Sequence, residues 1–173
     1  MLPTLTFMKQ TFRRFNYEYF HGSLPTPTFK ISCSSVYMGT CARYPSANAY
    51  GASYNTYVIT CSKYFDCPLE ELENTMLHEM CHLWVFINHP YTTEPSHGPI
   101  WQSIANKVTV ASNYKYVIAA ESTCAVCTII PPASRPRKKS TRPRRKKRVT
   151  PKPSFRRTLL RTLFLLMILV LFL

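Results

Sequence analysis

A strongly apolar helical stretch carries two histidines and a glutamate into whatever interior this chain builds: Met76-Leu77-His78-Glu79-Met80-Cys81-His82-Leu83-Trp84. Helical periodicity puts residues four apart on one face, so His78 and His82 present their imidazoles together. Met76, Leu77, Met80, Leu83, Trp84 and Ile87 commit the rest of the helix to burial. Buried polar groups are costly unless partnered, so any fold of this chain must satisfy all three polar side chains. A metal ion would satisfy them. The pattern His-Glu-x-x-His is a zinc-hydrolase signature for that reason: two imidazoles ligate from one face. The glutamate, one position round, reaches a metal-bound water and accepts its proton. The plain alternative is a surface helix with two unrelated histidines.

A third ligand must come from further along. Six residues past His82, where one zinc-protease pattern needs a histidine, stands Asn88. Glu94 and Glu121 are the only later carboxylates, and neither has the context of a ligand on a later helix. His97 is the better choice, because Ser96-His97-Gly98-Pro99 directly precedes a second helical pattern. His89 is the alternative, placed where the first helix should be ending.

The net charge of +14 is not spread over the 173 residues. Residues 1–134 hold eight Lys/Arg against eight Asp/Glu, and the whole surplus lies between Arg135 and Arg161. The chain therefore divides into a neutral domain of residues 1–130, a basic linker of 131–157, and an apolar segment of 158–173. Seven cysteines, an odd count, and no visible signal peptide favour free thiols in a reducing, intracellular setting.

Read in order, Thr4 caps a helix whose stripe is Leu5, Met8, Phe12, Phe15 and Tyr19. His21-Gly22 ends it, and Pro25 and Pro27 keep the chain extended. Phe29, Ile31 and Cys33 alternate with polar residues as in a half-buried strand. Tyr37 to Tyr44 and Tyr57 to Cys61 read as two more strands, with Pro45 to Asn55 as a hairpin loop between them. Antiparallel neighbours are the simplest topology. The helix bearing the histidines begins at Pro68, with Glu70, Glu71 and Glu73 near the positive end of its dipole. A polar loop from Asn88 to Ser96 follows. The next helix starts near Pro99 and buries Trp101, Ile104, Ala105 and Val108. Tyr114 to Ala119 reads as a last strand.

Phe15-Asn16-x-x-Tyr19-Phe20-x-Gly22-x-Leu24-Pro25, a strand-rich interval, His78-Glu79-Met80-x-His82 and His97-Gly98-Pro99-x-Trp101 together resemble the SprT-like metallopeptidase family. That family includes bacterial SprT proteins and the eukaryotic Spartan proteases that degrade DNA–protein crosslinks. The resemblance covers roughly residues 3 to 120. It implies zinc held by His78, His82 and His97, with Glu79 as catalytic base. It also implies a minimal zincin-like α+β domain: an N-terminal helix, a small antiparallel sheet, the HExxH helix and a further helix. Many members continue into a zinc ribbon of two Cys-x-x-Cys pairs. Here Cys124-Ala-Val-Cys127 supplies one pair and no cysteine follows, so two free thiols are the expectation.

The segment Arg135–Arg157 alternates Lys/Arg with Pro, Ser and Thr, cannot build a core and should be disordered. It suits nucleic-acid phosphates or anionic lipid head groups, or serves as a solvated linker. Without interleaved aromatics, its nucleic-acid binding would be non-specific and salt-sensitive. Leu159–Leu173 is almost wholly apolar. As a helix from Thr162 it would reach about 18 Å, and from Thr158 about 24 Å, against a hydrocarbon core of about 30 Å. A C-terminal membrane anchor, with the basic run on its cytoplasmic side, is favoured over a tail docked on another protein. The chain thus reads as a zinc endopeptidase acting on a protein substrate. Its rival is a non-catalytic zinc-containing binding module tethered by the tail. Tyr91 and Tyr114 are the candidates to stabilise an oxyanion.

Overall fold

The computed structural model describes residues 1–119 and 127–130. The basic segment Arg135–Arg157, the apolar segment Leu159–Leu173 and Cys124 lie outside the described residues. Among the described residues, no helix is long and apolar enough to cross a membrane.

The architecture is α+β. Among the described residues, three helices, α1 (Leu5–Phe20), α2 (Leu69–Asn88) and α3 (Pro99–Ala111), accompany a sheet of β1 (Thr28–Ser32), β2 (Gly39–Ala47) and β3 (Ser53–Ser62); α1 and α2 pack on the sheet and α3 packs on α2. A two-stranded ribbon pairs β4 (Phe65–Asp66) with β5 (Thr128–Ile129). The Thr4 hydroxyl accepts from the Phe7 N–H at the start of α1, and His21 ends that helix in the left-handed region with Gly22.

The main sheet is mixed, not antiparallel. Its order is β1-β3-β2, with β1 parallel and β2 antiparallel to the central β3. The strand order, central β3 and outer β2, has its reason in the residues. β3 carries Val58, Ile59 and Thr60, β-branched side chains that suit a strand flanked on both edges. Pro45 lacks an N–H and suits an edge, so β2 takes the outside. The loop expected over Pro45–Asn55 shrinks accordingly. β2 continues to Ala47, β3 starts at Ser53, and Asn48 with Gly51 makes the turn between them.

α2 lies at the centre, packed by β2, β3, α1 and α3. Met76, Leu77, Met80 and Leu83 are wholly buried, and they meet Met8, Phe12 and Phe15 from α1 and Trp101, Ala105 and Val108 from α3. Leu5, the first residue of the expected stripe, stays exposed at the helix start.

The strand expected over Tyr114–Ala119 is not one. Asn113 and Tyr114 both adopt positive φ, which breaks the extended run. The segment returns as an irregular strap across α2. The alternation read from the sequence survives as packing, since Tyr116 and Ile118 are buried. Tyr116 donates its hydroxyl to Glu73 Oε2 at 2.6 Å, and Arg14 pairs with the other carboxylate oxygen of Glu73. That buried carboxylate is therefore satisfied from both sides.

The free thiol expected at Cys127 is also corrected, for it forms a disulfide with Cys67. Asp66 and Thr128 face each other across the β4–β5 ladder, so the flanking Cys67 and Cys127 are brought opposite, with Cα atoms 4.4 Å apart. Cys33, Cys41, Cys61 and Cys81 remain thiols.

Candidate metal centre

Three histidines from one helix and a loop converge on one point. His78 and His82 come from α2, one turn apart. His97 comes from the loop that ends at the Gly98 N-cap of α3. The Nε2 atoms lie 3.2 Å apart for His78–His82 and 3.1 Å apart for each of the other two pairs. The Trp101 ring, buried on α3, packs against all three imidazoles with centroid distances of 4.8, 5.3 and 4.5 Å.

Three imidazole nitrogens in one triangle cannot each find a donor among themselves, since every N–H directed at one partner leaves another lone pair facing in. The Nδ1–H of His78 donates to the Ala119 carbonyl at 3.1 Å, which leaves its Nε2 as a lone pair facing the other two rings. Burial, and then the neighbouring His97, push the His78 pKa down to about 4. Burial, followed by His78 and His97, pushes His82 down to about 3. His78 and His82 are therefore neutral near pH 7, and the His78 lone pair faces two further ring nitrogens. Three nitrogens about 2.0–2.1 Å from a tetrahedral zinc would stand about 3.3–3.4 Å from one another. The observed spacing is close to that, and the donor set can hold such an ion. The carbonyl behind His78 is the kind of partner that orients a ligating imidazole.

Glu79 lies beside this group, only 5 % exposed. Desolvation pushes its pKa up to about 8, against the stabilising backbone N–H of Cys41. That bond requires β2 to pass very close to α2, and Gly39 is what permits it. A Cβ there would stand 2.6 Å from Glu79 Oε1 and 2.8 Å from Thr75 Cγ2. Strand β2, the histidines and the loop after α2 together line an open cleft of about 900 Å³.

The remaining candidates do not join the three-histidine group. His89 ends α2 and stacks on Trp84. Glu94 turns its Oε2 to the Ile100 N–H at 3.0 Å instead. Tyr91 is 94 % exposed and Tyr114 68 % exposed, and neither lines the cleft. Sequence reasoning did not anticipate the Ala119 carbonyl, the Cys41 N–H or the role of Gly39. Backbone groups leave no mark in side-chain patterns, although a glycine opening a β-rich run is a signal of close approach.

A three-histidine group on a helix and its neighbouring loop, beside a buried glutamate in an open cleft, is an arrangement of the HExxH pattern that can hold a metal ion. The profile of the SprT-like family matches residues 8–122, which is more than half of the chain, and the chain belongs to that family. No curated protein matches it.

Proposed function

We propose that this chain is a zinc-dependent endopeptidase of the SprT-like type, with His78, His82 and His97 as ligands and Glu79 as general base. The observation that carries the reading is the convergence of three imidazole Nε2 atoms beside a buried carboxylate at the floor of an open cleft. Zinc held there supplies Lewis acidity, which lowers the pKa of water and polarises a peptide carbonyl. Glu79 takes the proton of the attacking water and returns it to the leaving amine. The Cys41 N–H holds the Glu79 carboxylate in place through both transfers. Ala119 and Trp101 keep the His78 lone pair aimed inward. A purely structural site would have no use for a base at this position, which sets the binding-module reading behind the catalytic one.

Family membership and the basic run Arg135–Arg157 support a substrate class of proteins bound to nucleic acid. The test uses the full chain. Zinc content and cleavage of an unstructured protein substrate are measured for wild type, Glu79→Gln and His97→Ala. Glu79→Gln should keep one zinc and lose about 10²–10⁴-fold in cleavage rate. His97→Ala should lose the zinc. Cleavage at the wild-type rate by Glu79→Gln would refute the assignment.

A further inference from the structure

His97 rides on an exposed loop. From Tyr91 to Ser96 every residue is exposed, so little apolar burial holds this third imidazole over the other two. Segments of that kind open readily unless specific bonds restrain them. The N-terminus of α3 also lacks an ordinary cap. Gly98 has no side chain, and Pro99 has no N–H, which leaves Ile100 with the first orphan donor of the helix.

Glu94 answers both needs. Its Oε2 accepts the Ile100 N–H at 3.0 Å from four residues before the N-cap, and its charge complements the positive end of the helix. Its own N–H donates to the Thr92 hydroxyl at 3.2 Å. The turn it spans is closed by Gly98 N–H to the Pro95 carbonyl at 2.8 Å, and Gln102 Nε2 donates to the His97 carbonyl at 3.0 Å. The carboxylate packs directly over Gly98. A Cβ there would stand 3.0 Å from Glu94 Cβ, from Glu94 Oε2 and from the Pro95 carbonyl oxygen. Gly98 is therefore small because Glu94 occupies the space beside it.

We infer that Glu94 is a positioning residue for the metal centre: it caps α3 from outside the helix and holds the loop in the one arrangement that sets His97 against His78 and His82. The inference rests on the three-histidine site holding a metal, as proposed above. Apparent affinity scales with the fraction of molecules whose loop is already in place. Freeing the loop therefore weakens metal binding without touching a ligand.

The experiment measures zinc affinity of the metal-free full chain by competition with a chromophoric chelator, and the visible spectrum after cobalt substitution. Glu94→Ala should bind zinc about 10–100-fold more weakly, the range for partners that orient ligands. Its cobalt bands should shift or broaden. Glu94→Gln retains an acceptor oxygen and should recover most of the loss. Gly98→Ala, which pushes the carboxylate away, should weaken binding in the same direction. Thermal melts of the metal-free variants guard against a merely unfolded protein, and Glu94→Ala should melt within a few degrees of wild type. Wild-type zinc affinity and cobalt spectrum in Glu94→Ala, while His97→Ala loses the metal, would overturn the role of Glu94 alone. Undiminished binding in His97→Ala would instead overturn the metal site itself, and this inference with it.

Discussion

Glu79 is the residue at which burial and chemistry meet, and its protonation gives a prediction for the metal-free protein. Its folded pKa of about 8 lies above its ordinary value of 4.5. The folded state therefore holds an extra proton between those values, and stability falls as pH rises through that window. His78 and His82 act in the opposite sense. Their folded values of about 4 and about 3 lie below 6.5, so they add stability as pH rises until the unfolded imidazoles have lost their protons, about a unit above 6.5. Between pH 6.5 and 8 the loss from folded Glu79 outweighs the last gain from the unfolded imidazoles, and wild type should lose about 1 kcal/mol. Urea unfolding of metal-free wild type and Glu79→Gln at the two pH values checks this. The glutamine variant should lose nothing or gain slightly, and an equal loss in both would assign the effect to another group.

At the scale of elements, α2 is held in register by the strap that follows α3. Three contacts tie them at successive places: Glu73 to the Tyr116 hydroxyl, Asn74 to the Val117 carbonyl and His78 to the Ala119 carbonyl. The first anchors a buried carboxylate, and the last sets the tautomer of a candidate ligand. Tyr116→Phe keeps the ring packing against Phe15 and Tyr19 but leaves Glu73 Oε2 without its donor. The variant should lose about 1–3 kcal/mol in chemical denaturation. An unchanged midpoint would show that water replaces the hydroxyl at no cost. The strap also shows how a correct pattern can give a wrong element. Burial of alternate residues at 116 and 118 looks like a strand, but the positive φ angles at Asn113 and Tyr114 leave no ladder for it to join.

At the scale of the whole molecule, the surplus positive charge is confined to one segment, and the proposed polyanion binding rests on it. Residues 1–134 carry no net charge, so strong polyanion binding must come from Arg135–Arg157. The full chain should bind DNA of any sequence. A variant with the Lys and Arg of that run replaced by Gln should not. If roughly six to ten phosphates are neutralised, affinity should fall by roughly three to five decades between 50 and 200 mM salt. A crosslink-protease role further requires that DNA stimulate cleavage by wild type and not by the neutral variant. Equal stimulation of both, or of neither, would remove the link between this tail and DNA.

Read alone, the chain's residues determined the chemistry that depends on periodicity and composition. The spacing of His78 and His82 on an apolar helix, the N-cap at Thr4, the break at His21-Gly22 and the neutral first 134 residues are local properties, settled within a turn or two of backbone. His97 was the favoured third histidine from its place before a helix, but only tertiary structure could bring it within 3.1 Å of the other two. The parallel pairing of β1 with β3, the disulfide between residues 60 apart, and the backbone groups that hold Glu79 and His78 were likewise decided by the fold. The physical reason is common to all of them. Each depends on which distant segment packs against which, and a backbone N–H or carbonyl is the same at every residue until packing selects the one that faces the site.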